Sequence, residues 1–191
     1  MLFASAALAA CGGEEDAAEE RERAGGSPSA GIAPAGEGVD PDESAPIGAT
    51  IEVDGLAYTP QITRQLNSRV KPDRTLVGGR RPGRNRIWLG AFIRVCNEGD
   101  RVRTPSRRLA LVGAFGERIA PTELPPSNPF EYDPRPLRPG QCLPRQGSVD
   151  DQVAEGSLVL FNIPVEFFSE RPVALEVTSQ SGRRERVIVD L

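Results

Sequence analysis

The side chains able to do chemistry in this sequence are few, and their types narrow the reactions open to it. There is no histidine among the 191 residues, so the commonest general base and the commonest metal ligand are both missing. A Ser-His-Asp triad or a Cys-His dyad needs an imidazole. Lysine occurs once, at Lys71 beside Pro72, and arginine supplies the other 22 of the 23 basic residues. A Ser-Lys pair would have to use Lys71, in a polar stretch where an exposed ammonium is expected. Asp150, Asp151 and Glu155 are close enough in sequence to invite a hard cation such as calcium, but the spacing matches no EF-hand loop and solvated carboxylates are the plainer reading. The run Gly78-Gly79-Arg80-Arg81-Pro82-Gly83-Arg84 lacks the Gly-Lys-Ser/Thr ending of a phosphate-cradling loop. No catalytic residue, metal or cofactor is expected, and the chain reads as a non-enzyme.

Arginines form two clusters, Arg80, Arg81, Arg84 and Arg86, then Arg101, Arg103, Arg107 and Arg108. They would suit phosphate-bearing wall polymers or lipid headgroups. The plainer alternative is soluble surface in an arginine-biased sequence. Charge is unevenly placed. Residues 12–46 hold ten acids and two bases, a net −8, which leaves 17 of the 27 acids and 21 of the 23 bases for the rest, a net +4. So modest a positive charge, with no recognition motif, argues against a nucleic-acid partner.

The three cysteines divide into one and two. Residues 1–10 (MLFASAALAA) are apolar and precede Cys11-Gly12-Gly13. That length fits the apolar core of a signal peptide, although no Lys or Arg stands before it. Leu8-Ala9-Ala10-Cys11 resembles the lipobox of bacterial lipoproteins. The resemblance implies cleavage before Cys11, acylation of its thiol, and membrane lipid as its partner. Two or more acyl chains give stable attachment where one gives only marginal binding. Ala7-Leu8-Ala9 is also an A-x-A cleavage site, so secretion is a second reading and cytosolic residence a third. No run of 18 or more apolar residues occurs, so no spanning helix is expected. In an oxidising space the remaining even pair, Cys96 and Cys142, reads as a disulfide. Closing a loop of about 47 residues would contribute about 4 kcal/mol. Two separate thiols are the alternative.

The elements that would carry these groups begin after the acidic stretch. Three segments are expected: a lipoprotein signal peptide over 1–10, an acylated cysteine with a disordered acidic linker over 11–46, and a folded domain over 47–191. The linker is rich in Ala, Gly, Glu, Pro and Ser, and buries too little apolar surface to offset its ordering entropy. The domain reads as short strands with turn punctuation. Residues 49–53 alternate, Asp54-Gly55 is a strong hairpin turn, and residues 56–66 continue with Pro60 marking an edge or a bulge. Residues 67–84 read as a long polar loop. Residues 86–97 (RIWLGAFIRVCN) are the strongest strand, with Leu89, Ala91, Ile93 and Val95 on one face and Trp88, Phe92, Arg94 and Cys96 on the other. Residues 107–112, 117–119, 157–163, 173–178 and 186–189 follow, and residues 165–169 make one helical turn. Seven to nine short strands at this spacing predict an all-β, immunoglobulin-like antiparallel β-sandwich.

Four pieces in a fixed order carry a family resemblance: Val95-Cys96-Asn97-Glu98-Gly99, Leu109-Ala110-Leu111 with Phe115-Gly116, Arg138-Pro139-Gly140, and Gly156-Ser157-Leu158-Val159-Leu160-Phe161-Asn162-Ile163-Pro164. Together they resemble the telokin-like, immunoglobulin-like domain-of-unknown-function family of Gram-positive and actinobacterial lipoproteins, over roughly residues 48–190. The Gly-x-Leu-Val-x-Phe-x-x-Pro strand is the most specific piece. The resemblance implies fold and location and transfers no active site. This chain departs from it by the residues inserted between Cys142 and Gly156. Residues 121–144 hold eight prolines with Phe130 and Tyr132. A proline-stiffened loop loses little entropy on binding, so these two rings are candidate contacts for a protein or cell-wall partner. Covering one end of the sandwich is the alternative role. The sequence therefore points to a cell-surface lipoprotein with a non-enzymatic binding or accessory module. The second reading is an extracytoplasmic sensor or a small-ligand or ion-binding domain.

Overall fold

Asp54 and Gly55 both sit at positive φ, 53° and 73°, the backbone that a two-residue hairpin of right-handed twist requires. They join β2 (Ile51–Val53) to β3 (Leu56–Leu66) with Val53 opposite Leu56. The structure, a computed structural model, describes residues 32–33 and 37–189. β3 pairs antiparallel with β4 (Arg86–Cys96), and the register slips between Pro60 and Ile62. Pro60 has no N–H to give the ladder, and the bulge falls where the sequence placed it. The other edge of β4 is shared. β8 (Ser157–Pro164) pairs along residues 86–93, and the two-residue β7 (Cys142–Leu143) takes over at Val95 and Cys96. The second sheet runs in the order β1 (Ile32–Ala33), β6 (Arg118–Ile119), β5 (Leu109–Val112), β9 (Ala174–Thr178), β10 (Arg184–Ile188). The fold is an all-β sandwich of two antiparallel sheets.

Period-2 alternation sends one face of each sheet into the shared core. Val53, Leu89, Ile93, Val95 and Phe161 from the first sheet meet Leu111, Ile119, Leu175, Val177 and Val187 from the second. Few sandwich strands are buried on both faces, but β4 is. Its Trp88 and Phe92, with Leu66, Leu158 and Leu160, form a second apolar cluster on the outer side of the first sheet.

That second cluster overturns the reading of residues 67–84 as a polar loop. The segment contains a one-turn helix, α1 (Asp73–Leu76), and Leu76 and Val77 are buried against the outer face. Asp73 fixes it. Its carboxylate accepts from Arg64 Nη2 at 2.7 Å and from the Asn67 N–H at 2.9 Å. Burial pushes the Asp73 carboxyl upward, but the Arg64 and Asn67 hydrogen bonds outweigh it and hold the group below its ordinary 3.8. The residues inserted between Cys142 and Gly156 include a short helix, α2 (Val149–Ala154), whose Ala154 packs into the same cluster. The single turn expected after Pro164 is present as α3 (Val165–Ser169).

The folded part begins before Ile47. Val39 is buried against Val112 and Ala174 on the outer face of the second sheet. Ala45 bridges Val187, donating to the Arg186 carbonyl at 3.0 Å and accepting from the Ile188 N–H at 2.9 Å. Residues 37–46, assigned from composition to an unstructured linker, are therefore a strap. One valine, main-chain hydrogen bonds and the Arg186 guanidinium on the Gly38 carbonyl secure it, and composition registers none of these.

Gly156 enters β8 under the backbone of β4. A Cβ there would lie 2.8 Å from Ile93 N and 2.8 Å from the Phe92 carbonyl carbon. Main-chain atoms inside a paired sheet cannot step aside, so Gly156→Ala is expected to destabilise the domain by about 1–3 kcal/mol. Urea unfolding of the two proteins measures it, and an unchanged midpoint would contradict the close approach.

Candidate functional site

Residues 122 and 130–132 meet the free edge of β8 through main-chain hydrogen bonds and an isolated bridge between Glu131 and Leu158. The Thr122 N–H donates to the Leu160 carbonyl, the Tyr132 N–H to that of Leu158, and the Leu158 N–H to that of Phe130. Phe130 is only 8% exposed and belongs to the second apolar cluster with Trp88 and Phe92. Tyr132 is half-buried against the central core, and its hydroxyl donates to the Ser106 carbonyl at 2.9 Å. The Ser106 N–H in turn donates to the Tyr58 hydroxyl at 2.8 Å. Burial pushes both phenols above their ordinary 10.0, Tyr132 well above. Each keeps its proton and neither acts as a base near neutrality. Of the two candidate partner contacts, Phe130 is withdrawn from the surface into the apolar cluster, whereas Tyr132, half-buried, also lines a pocket.

Beside Tyr132 the strap of prolines leaves a pocket of about 270 Å³, lined among others by Arg107, Thr122, Glu131 and Leu160. The Thr122 hydroxyl is buried there without a partner. Burial, with the charges of Asp133 and Glu123, raises the Glu131 carboxyl above its ordinary 4.5, against the Leu124 N–H and Arg107. The acid and base character of the lining is mixed, so it selects no ligand charge.

The carboxylates singled out for a cation are occupied by the protein itself. Asp150 is buried and accepts from Ser157 Oγ at 3.1 Å. Asp151 accepts from the Gly147 N–H at 2.8 Å and from Arg94 Nη2 at 2.6 Å. Those two contacts, the Gly147 N–H first, hold the Asp151 carboxyl below its ordinary 3.8. Glu155 adopts φ 55° and closes α2, its carbonyl accepting from Arg94 at 3.4 Å. Among the described residues no group of three or more His, Cys, Asp or Glu is placed to hold a metal. Lys71 is exposed.

The second arginine cluster is dispersed, whereas Arg81 and Arg86 of the first line an open cleft of about 660 Å³ together with Arg69. Arg80 lies over the Trp88 ring at 5.4 Å, Arg86 donates to Asn162, Arg107 pairs with Asp133 at 3.6 Å, and Arg108 donates to the Ser179 carbonyl. A different set converges at the other end of β4. Arg94, Arg135 and Arg145 line an open cleft of about 930 Å³, with Gln141, Cys142 and Gln146 between them and Asp151 as its single carboxylate.

The walls of this cleft are held firmly. Cys96 and Cys142 face each other across β4 and β7 and are joined by a disulfide, with Cα atoms 4.1 Å apart. Asn97, fully buried, donates through Nδ2 to the carbonyls of Arg101 and Leu137 at 2.7 and 2.8 Å. Its main chain bonds Gln141 and Gly140. The sequence offered a clue to the cleft: Arg94 and Arg145 lie two and three residues from the paired cysteines. Their separation along the chain hid the convergence.

Cys11 and the segment around it lie outside the described residues. No helix among the described residues is long and apolar enough to cross a membrane. No family profile matches the chain, and no curated protein does. Among solved structures, the crystal structure of the yjhA protein from Bacillus subtilis is similar at a TM-score of 0.47 and 13% identity, covering 76% of this chain and 99% of that one. At that level neither fold nor function is transferred.

Proposed function

We propose that the protein is a non-enzymatic binding module held at the outer face of the cell membrane by an acylated Cys11. The supporting observation is the Cys96–Cys142 disulfide. Such bonds persist in oxidising compartments and are rare in the cytosol. The lipobox-like Leu8-Ala9-Ala10-Cys11 supplies the means of retention, because a diacylated cysteine binds bilayers stably without a spanning helix. The absence of histidine removes the commonest routes to hydrolysis, and the carboxylates of Asp73, Asp150, Asp151 and Glu176 are engaged with the protein's own residues. In this reading the chain belongs with the telokin-like lipoprotein domains that its strand motifs resemble.

Cell fractionation with protease shaving tests the location. The full-length protein is expected in the membrane fraction and cleavable from outside intact cells, whereas Cys11→Ser is expected to leave that fraction. Protection of the wild-type protein in intact cells would overturn the reading.

A further inference from the structure

We propose that the cleft between β4 and the 135–146 wall is a binding site for a soluble polyol phosphate, a ligand carrying at least two phosphate groups. The inference deepens the binding-module reading and rests on it.

Charge is the first argument. Three guanidiniums, Arg94, Arg135 and Arg145, line the cleft against the one carboxylate of Asp151. Arg135 and Arg145 are exposed, and their side chains make no hydrogen bond or ion pair with the described residues. Arg94 differs. It is 31% exposed and is anchored by Asp151 through Nη2 alone, so its Nε and Nη1 remain unengaged. An arginine already oriented by a carboxylate loses little freedom when it meets an oxyanion.

The scaffold is the second argument. Arg135 stands between Pro134 and Pro136, and Arg145 follows Pro144. Proline fixes its own φ and restricts the residue before it. The Cys96–Cys142 bond and Asn97 tie that wall to the end of β4. The guanidiniums are thus displayed on a stiff frame, which is costly to build for residues that only keep a protein soluble.

Size and chemistry then select the ligand. A cleft of about 930 Å³ is far larger than one inorganic ion needs and lies within the range of small-molecule sites. Phosphate offers enough oxygens to accept from two guanidiniums at once, and the arginine fork matches it bidentately. The Gln146 amide can donate to and accept from hydroxyl groups between phosphates, and the Gln141 amide, whose Oε1 already accepts from the Arg138 N–H at 2.9 Å, can donate to them. A bare polyanion uses only the arginines, whereas a polyol phosphate uses both sets.

The test is calorimetric titration of the full oxidised Cys11→Ser chain with a short glycerol phosphate oligomer. Saturable binding is expected, weakening as salt rises because the attraction is screened. Tripolyphosphate is expected to bind the same site, and tricarballylate, with carboxylates in place of phosphates, about tenfold more weakly. Arg135→Ala with Arg145→Ala should lower oligomer affinity about tenfold or more. Both side chains are exposed and unpaired, so the double variant should keep its stability. Arg69→Ala with Arg84→Ala removes the same charge at the opposite end of β4 and should change affinity less than about twofold. Equal loss in the two double variants would mean nonspecific charge and overturn the site. So would no binding, or binding only to phosphatidylglycerol vesicles. Any of these leaves the membrane location to its own test.

Discussion

Cys96→Ser combined with Cys142→Ser is expected to lower the unfolding free energy by about 4 kcal/mol. The two cysteines are 46 residues apart. The bond therefore removes a long loop from the unfolded ensemble, and closure entropy grows with loop length. The native state loses little in exchange, because the paired residues already face each other across β4 and β7. The cost should fall mainly on global stability, read as a lower urea midpoint for the double variant than for the oxidised wild type. Reduced wild type should match the variant. If oxidised wild type and variant unfolded together, the bond would contribute nothing and the fastening of the cleft wall would need another source.

The second large effect is expected at Glu176 in β9. Its side chain is fully buried, yet it meets the guanidinium of Arg118 bidentately, that of Arg186 at 3.0 Å, and that of Arg184 at 3.8 Å. Arg186 then reaches the Gly38 carbonyl at 2.8 Å, so the carboxylate also secures the strap over the second sheet. Glu176→Gln removes the charge and strands Arg118 and Arg186, whose side chains are only 23% and 15% exposed. Breaking a buried pair costs about 3–5 kcal/mol, and the partial exposure of the arginines points to about 3 kcal/mol here. Burial alone would raise the Glu176 carboxyl, but the hydrogen bonds and charges of Arg118 and Arg186 more than offset it and hold the group below its ordinary 4.5. A carboxyl depressed by folding stabilises the native state fully above its unfolded value near 4.5 and loses that contribution as pH falls through the depressed folded value. Wild type should therefore lose stability on acidification faster than Glu176→Gln. Parallel pH profiles for the two proteins would contradict the assignment.

How far the sequence reveals this molecule depends on how local each signal is. β4 is legible because eleven residues alternate between two apolar faces, and the hairpin before β3 is legible because Asp54-Gly55 permits few other conformations. The disulfide is legible from the even pair of cysteines left once Cys11 is set apart. Glu176 is the opposite case. In Ala174-Leu175-Glu176-Val177-Thr178 the alternation points it to solvent, and only the strap with Val39 and the three arginines encloses it. α1 and α2 are too short to show a 3.6-residue period, so Leu76 and Ala154 become core residues through contacts with Trp88 and Phe92 that no local pattern contains. The aromatic pair Phe130 and Tyr132 draws attention in the sequence for the same reason that buries it, since large rings gain most by leaving water. The arginine cleft was hidden because it brings together residues 94, 135 and 145, which lie far apart along the chain.

Peptide mapping by mass spectrometry of the protein isolated from its own cells, without reduction, bears most directly on the central claim. The N-terminal peptide is expected to begin at Cys11 and to carry the mass of a diacylglyceryl group, and the peptides holding Cys96 and Cys142 to run as one cross-linked species. An unmodified Cys11 within an intact N-terminal peptide, with Cys96 and Cys142 both recovered as free thiols, would contradict it.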